Sequence, residues 1–216
     1  MKIPFFTKTF KALLISTLIS TSAFSFTQGV DYDILPTRID VPTPSLTKVF
    51  NYSCVYCYRF DKSVTQKLMS KLEGVKFIPM HLDSKGKFGE TTSKILASML
   101  ALDEKNGIDV FNDKSKFKQA KFTIYKSTHD KKEELSKDAF IAMALKAAKI
   151  SQSEYEDALN LPRTQQILSE WANAYDIAKI QGIPAFVVNG KYIININTPQ
   201  LSIDSMAELV KFLLER

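Results

Sequence analysis

Cys54 and Cys57 are the only cysteines in the 216-residue chain, and only Val55 and Tyr56 separate them. The thiolate is the reactive form of cysteine, and two thiols this close can form a disulfide that reopens when another thiolate attacks it. A purely structural bridge is a second reading, but loop-closure stabilisation grows with loop length, so a bridge across two residues is a poor staple. Half of a zinc site is a third. Zinc wants four ligands, and the two histidines, His81 and His129, lie far apart and not in ligand-pair spacing. No metal and no organic cofactor is indicated; the redox-active group is the Cys54-Cys57 disulfide itself.

Such a pair needs particular elements around it. Residues 46–52 (Leu46-Thr47-Lys48-Val49-Phe50-Asn51-Tyr52) have the β-branched and aromatic content of a strand. Beyond the cysteines Val64, Leu68, Met69 and Leu72 recur at helical spacing, and Gly74 closes that helix. Cys54 then falls at the helix mouth, where unpaired N–H groups and the positive end of the dipole favour a thiolate. Cys57, one turn on, faces inward: the exposed sulfur exchanges with partners and the buried one resolves the mixed disulfide. Residues 75–82 read as a second strand with Pro79 at an edge or bulge, which makes a right-handed crossover unit with a parallel pair. His81 ends that strand, as a satisfied structural histidine or as a group tuning the sulfurs. His129, in a Lys-rich stretch, reads as surface.

From Gly89 to about Gly182 the pattern turns helical, with Ile95, Met99 and Leu102, then Phe140, Met143, Ala144 and Ala147, then Ile167, Trp171, Ala174 and Ala178 as core faces. Gly107 and His129-Asp130-Lys131 punctuate it, and Leu161-Pro162 opens a fresh helix. Strand character returns in Ala185-Phe186-Val187-Val188 and Tyr192-Ile193-Ile194, joined through Asn189-Gly190, a pair suited to a type I′ hairpin turn. Ser202 or Asp204 can cap a last amphipathic helix carrying Leu209, Val210, Leu213 and Leu214.

At the N-terminus Lys2, Lys8 and Lys11 precede an apolar run from Ala12 to Phe24 that Ser16, Thr17, Ser20, Thr21 and Ser22 interrupt, the pattern of a cleaved export signal rather than a membrane span. Ala23 and Ser25 fit a cut after Ser25, so residues 1–25 form the expected signal peptide. Its removal takes three lysines and no acids from a net charge of +6, leaving +3. That excess, on Lys-rich faces (Lys114, Lys116, Lys118, Lys121; Lys131, Lys132), reads as solvated surface and not as a nucleic-acid stripe. With 45% hydrophobic residues the chain can build a core without disulfides, which strengthens the chemical reading of its two cysteines.

The segments Tyr52-Ser53-Cys54-Val55-Tyr56-Cys57-Tyr58 and Gly182-Ile183-Pro184-Ala185-Phe186-Val187-Val188-Asn189-Gly190-Lys191-Tyr192 closely resemble the DsbA family of periplasmic dithiol oxidases, and a weaker similarity spans nearly the whole mature chain. The resemblance implies a thioredoxin-like α/β fold with an inserted helical subdomain: residues 26–88 and 177–216 in the thioredoxin-like domain, residues 89–176 in the insertion. It implies a cis Ile183-Pro184 peptide beside the sulfurs whose backbone pairs with an extended substrate. It also implies reoxidation by a quinone-linked membrane oxidase. Familiar members carry Pro-His between the cysteines; Val55 and Tyr56 supply no cation here, which implies a higher nucleophile pKa and a weaker oxidant. Where the family often has a buried Glu paired with a Lys on the next strand, this chain has Lys48 and Pro79. A protonated Lys48 would favour the Cys54 thiolate. The alternative is a lysine whose stem packs while its head reaches solvent.

The reading that follows is a monomeric periplasmic thiol:disulfide oxidoreductase that introduces disulfides into exported proteins bearing free thiols. Cys54 and Cys57 are catalytic; Ile183, Pro184 and Tyr56 bind substrate; Val55, Tyr56, Lys48 and His81 tune the site. Tyr56, Tyr58 and Phe60 are candidates for an apolar groove that accepts unfolded chains. A disulfide reductase or isomerase, or a non-enzymatic chaperone on a redox fold, are the rival functions.

Overall fold

The computed structural model describes residues 25–198 and 201–216; all but the last residue of the expected signal peptide lies outside the described residues. Strands β1 (Tyr32–Ile34), β2 (Ser45–Phe50), β3 (Lys76–His81), β4 (Ala185–Val188) and β5 (Tyr192–Ile194) form one sheet in the order β1-β5-β4-β2-β3. The β2–β3 pair is parallel and the other neighbours are antiparallel. All six residues of β2 are buried, as expected of a strand covered on both faces. Pro79 stands on edge strand β3 directly opposite Lys48; an edge is where a residue without an N–H is tolerated.

Side chains alternate cleanly along the hairpin. Val187 and Ile193 enter the core beneath the long helices, while Phe186, Val188 and Ile194 pack on the other face against Leu209, Val210 and Leu213, all from the final helix Ile203–Leu214, which Ser202 caps. Asn189 and Gly190 have φ of 50° and 65°, the left-handed geometry a type I′ turn requires. Gly190 also has no room for a side chain, since a Cβ would lie 2.2 Å from the Ile39 carbonyl oxygen.

The helix after the cysteines begins at once and is kinked. Helix α1 (Val55–Ser63) gives way at Val64 to α2 (Thr65–Met69), where the Thr65 hydroxyl donates to the Phe60 carbonyl at 3.1 Å, a side chain interrupting the helical ladder. Between β3 and β4 run α3 (Gly89–Lys105), α4 (Lys116–Tyr125), α5 (Lys137–Ala148), α6 (Gln152–Leu159), α7 (Pro162–Trp171) and α8 (Ala174–Gln181). Residues His129-Asp130-Lys131, expected as a break, instead extend α4 through a π-helical turn, Lys126–Lys131. Strand β1 carried no expectation from the sequence, because three residues at a sheet edge leave little periodic signal.

Candidate active site

Cys54 is the N-cap of α1: its backbone is extended (φ −87°, ψ 109°) and its Sγ accepts the Cys57 N–H at 3.1 Å. The sulfur thus takes the place that a Ser or Asp oxygen holds at an ordinary cap. Asn51 shapes the loop that delivers it. Its buried side chain donates to the Leu82 and Lys85 carbonyls at 2.6 and 3.0 Å and accepts from Ser53 N–H and Oγ at 2.7 and 2.6 Å, tying the loop to the end of β3. Opposite stands the Ile183-Pro184 peptide, which is cis, and the Cys54 thiol points at the Ile183 carbonyl oxygen at 3.6 Å.

Burial and hydrogen bonding divide the two free thiols. Cys54 is brought down to about 7, first because the Cys57 thiol donates to its thiolate; burial opposes, the Cys57 and Tyr56 N–H groups add to the lowering, and Lys48 contributes least. Cys57, fully buried, is pushed up by its burial and then by its bond to Cys54 and the charge there. The pair therefore ionises at Cys54 first, the asymmetry that an attacking and a resolving sulfur need.

Lys48 is 1% exposed, which overturns the solvent-reaching alternative. Its Nζ donates to Asp61 Oδ1 at 2.6 Å and to Thr65 Oγ1 at 3.0 Å, and lies 3.5 Å from the Cys57 carbonyl oxygen. Its stem cannot carry the head out of a central strand covered on both faces. Lys121, assigned to a solvated face by its Lys-rich context, is also buried, with Nζ 3.2 Å from Asp61 Oδ2 and near three phenylalanine rings. Burial works against the Asp61 carboxylate, but Lys121 and Lys48 outweigh it and hold the group below its ordinary range.

His81 is buried and neutral, pushed down to about 3 by burial. Its Nε2 accepts the Tyr52 N–H at 3.3 Å, which leaves Nδ1–H to donate to Ser93 Oγ at 2.7 Å. The Tyr52 contact falls two residues before Cys54. His129 is not simply surface: it is half-buried, bonded through Nε2 to the Tyr52 carbonyl at 2.9 Å and stacked on Tyr58 at 5.6 Å. The π-helical turn re-aims it toward the loop, an effect invisible to a reading of local polarity. Val55 and Tyr56 are exposed, at 39% and 62%, with the Arg59 guanidinium over the Tyr56 ring. Neither Tyr58 nor Phe60, the other groove candidates, is exposed. Tyr58 is buried, with its hydroxyl donating to Asp130 at 2.7 Å, and Phe60 packs on Phe186.

A helix-capping cysteine facing a cis-prolyl loop, on this sheet order, defines a thioredoxin-like disulfide oxidoreductase. The model of the DSBA-like thioredoxin domain matches residues 45–211, and the chain belongs to that family. It is 44% identical over 209 residues to the thiol:disulfide interchange protein DsbL of Lelliottia amnigena, covering 94% of each chain. It is 26% identical over 210 residues to the DsbA of Pectobacterium carotovorum subsp. carotovorum, covering 91% of this chain and 92% of that protein. Among solved structures it is similar to DsbL of Salmonella enterica serovar Typhimurium, with a TM-score of 0.86, 46% identity, and coverage of 90% of this chain and 100% of the other.

Proposed function

We propose that the protein introduces disulfide bonds into exported proteins in the periplasm, through Cys54 and Cys57. The observation that carries this reading is the split of the two thiols across the mouth of α1: Cys54 partly exposed with its thiol lowered to about 7, Cys57 buried and pushed up. Starting from the Cys54-Cys57 disulfide, a substrate thiolate attacks Cys54 Sγ, an S–S bond to substrate forms, and Cys57 leaves with the electron pair and takes up a proton. A second substrate thiolate then attacks the substrate sulfur of the mixed disulfide and expels Cys54 as a thiolate, the better leaving group. The substrate has lost two electrons and two protons; the protein holds the electrons as a dithiol.

Ile183, next to Pro184, offers its backbone to an extended substrate stretch beside Cys54, and exposed Tyr56 offers an apolar ring to the same chain. A second turnover needs an electron acceptor, and the family relationship points to a quinone-linked membrane oxidase. The export reading is supported by the leader-like residues 1–25 and by the family. Among the described residues no helix is long and apolar enough to cross a membrane.

The test is oxidative refolding of a reduced, disulfide-requiring substrate. Oxidised protein is expected to transfer one disulfide per molecule, and Cys54→Ser to transfer none. Cys57→Ser, with Cys54 first loaded as its mixed disulfide with glutathione, should exchange glutathione for a substrate thiol and hold that substrate mixed disulfide, visible by mass. Survival of activity in Cys54→Ser would leave only chaperoning, and a glutathione equilibrium favouring the disulfide would leave a reductase or isomerase.

A further inference from the structure

The π-helical turn that ends α4 holds the cysteine loop and the redox helix at once. His129 Nε2–H donates to the Tyr52 carbonyl at 2.9 Å, two residues before Cys54. Asp130 Oδ2 accepts the Tyr58 hydroxyl at 2.7 Å, one residue after Cys57. The His129 ring stacks on Tyr58, with centroids 5.6 Å apart and planes 19° from parallel, and Tyr125 lies against it at 6.1 Å, so packing aims its bond to Tyr52. A π turn takes in one more residue than an α turn and shifts the side chains it carries, a device found frequently at functional sites. Lys132 closes the turn in the left-handed region, φ 53°, a conformation unfavourable for a lysine. Other partners of Tyr52 refer the loop to the sheet: His81 of β3 accepts its N–H at 3.3 Å, and its hydroxyl accepts the Phe88 N–H at 2.8 Å. The π turn is the member that refers loop and helix to one rigid piece.

We propose that His129 and Asp130 are positioning residues for ring closure of the redox pair: pinning the loop at Tyr52 and the helix at Tyr58, they hold Cys54 in line for attack by Cys57. The proposal rests on the exchange reading above. When a disulfide oxidant restores the dithiol, the Cys54 thiolate first attacks it, forms a mixed disulfide and expels one thiolate. Closure follows. Cys57 gives up its proton, its Sγ attacks Cys54 Sγ, the Cys54-Cys57 bond forms, and the second thiolate of the oxidant leaves with the electron pair. The two steps make different demands. Cys54 is half-buried and meets a diffusing disulfide from outside, whereas Cys57 is fully buried and must find one particular sulfur in one particular direction. That alignment depends on how the loop sits on the helix, and small misplacements of reacting atoms slow an intramolecular step steeply. Two adjacent residues on one turn thus serve the closure step from a segment more than seventy residues away in sequence.

The experiment mixes reduced protein with glutathione disulfide, quenches with acid at intervals, and separates dithiol, mixed disulfide and internal disulfide by mass. The rate of disulfide formation rises at first with glutathione disulfide, with a slope set by attack of Cys54, and levels off at the first-order rate of closure by Cys57. His129→Ala is expected to lower the plateau about tenfold and to leave the slope within about twofold of the parent. His129→Gln, whose amide can still donate to the Tyr52 carbonyl, is expected to recover the plateau to within about threefold. Asp130 is exposed, so Asp130→Ala leaves a variant to judge by if His129→Ala does not fold. It is expected to lower the plateau about fivefold, and Asp130→Asn, which keeps an acceptor for the Tyr58 hydroxyl, to stay within about twofold of the parent. A folded alanine variant that closes at the parent rate, a glutamine variant slowed as far as the alanine one, or equal losses of slope and plateau overturn the proposal while leaving exchange intact. Parent protein that forms no mixed disulfide with glutathione would instead remove the exchange reading.

Discussion

Asp61 and Asp103 are both buried aspartates, and their surroundings differ in kind. Asp103 accepts from Ser115 Oγ at 2.7 Å and from the N–H groups of Lys116 and Phe117 at 2.9 and 3.0 Å. Neutral donors at the start of α4 absorb its charge, and the helix dipole adds to them. Asp61 is met by two ammonium groups and a phenol, in a cluster whose Lys48 also reaches the Cys57 carbonyl oxygen at 3.5 Å. Burial of an acid therefore says little about its role; the partner set decides. One aspartate's charge is absorbed at a helix terminus, and the other's is shared between two lysines behind the redox helix.

The comparison breaks most readily through stability. Asp61→Ala strands two buried lysines, and removing one partner from a buried ionic group costs about 3–5 kcal/mol. Asp103→Ala leaves three donors without an acceptor at a helix start, for about 2–3 kcal/mol. Urea unfolding of both variants checks the order. The sharper half lies in the glutathione equilibrium, which Asp103→Ala is expected to leave alone even though it loosens the first turn of the helix bearing Lys121. A shift as large as that of Asp61→Ala would mean the two aspartates do one job.

His81 adds a buried group with no counter-charge at all. An unfolded histidine takes up its proton near its ordinary 6.5, whereas the folded one resists until about 3. Between those values the unfolded chain binds more protons, so stability rises with pH there and is lost as pH falls from 6.5 toward 3. At pH 5 the loss is about 2 kcal/mol relative to pH 7. Asp61, held below its ordinary 3.8, gives up its own contribution only beneath that value, well under the interval between pH 7 and 5. His81→Gln should flatten the dependence between pH 7 and 5; an equally steep loss in that variant would place the proton uptake elsewhere.

These contrasts also mark what was legible from residues alone. The cysteine pair, the Asn189-Gly190 turn and the cap at Ser202 are local patterns, the placing of Lys48 beside Pro79 came from the family resemblance, and each appears in the structure. The fold class and the disulfide chemistry followed from the segments around Cys54 and Pro184. Lys121 and His129 were misread because polar residues in a Lys-rich stretch look solvated, and their partners Asp61 and Tyr52 lie far away along the chain. Asp61 itself sits among Arg59, Lys62 and Ser63 with nothing local to mark it as buried. Long-range polar pairing has no period, so hydrophobic spacing does not report it. Asn51 was within reach, since an asparagine at a strand end ahead of a reactive loop is a turn-former by type.

The smallest expected effect concerns the front of the site, where the cysteines enclose Val55 and Tyr56 and no cation. Tyr56 is exposed, so its replacement disturbs little packing, and Tyr56→His puts an ionisable ring on the residue whose N–H already favours the Cys54 thiolate. One charge-assisted hydrogen bond is worth about 1.5–3 kcal/mol, and the lower limit corresponds to about one pKa unit. Thiolate absorbance should then show Cys54 titrating about one unit below the parent, with the glutathione equilibrium moving toward the dithiol. A titration that stays at the parent value would mean that a charge placed at residue 56 does not reach the Cys54 thiolate.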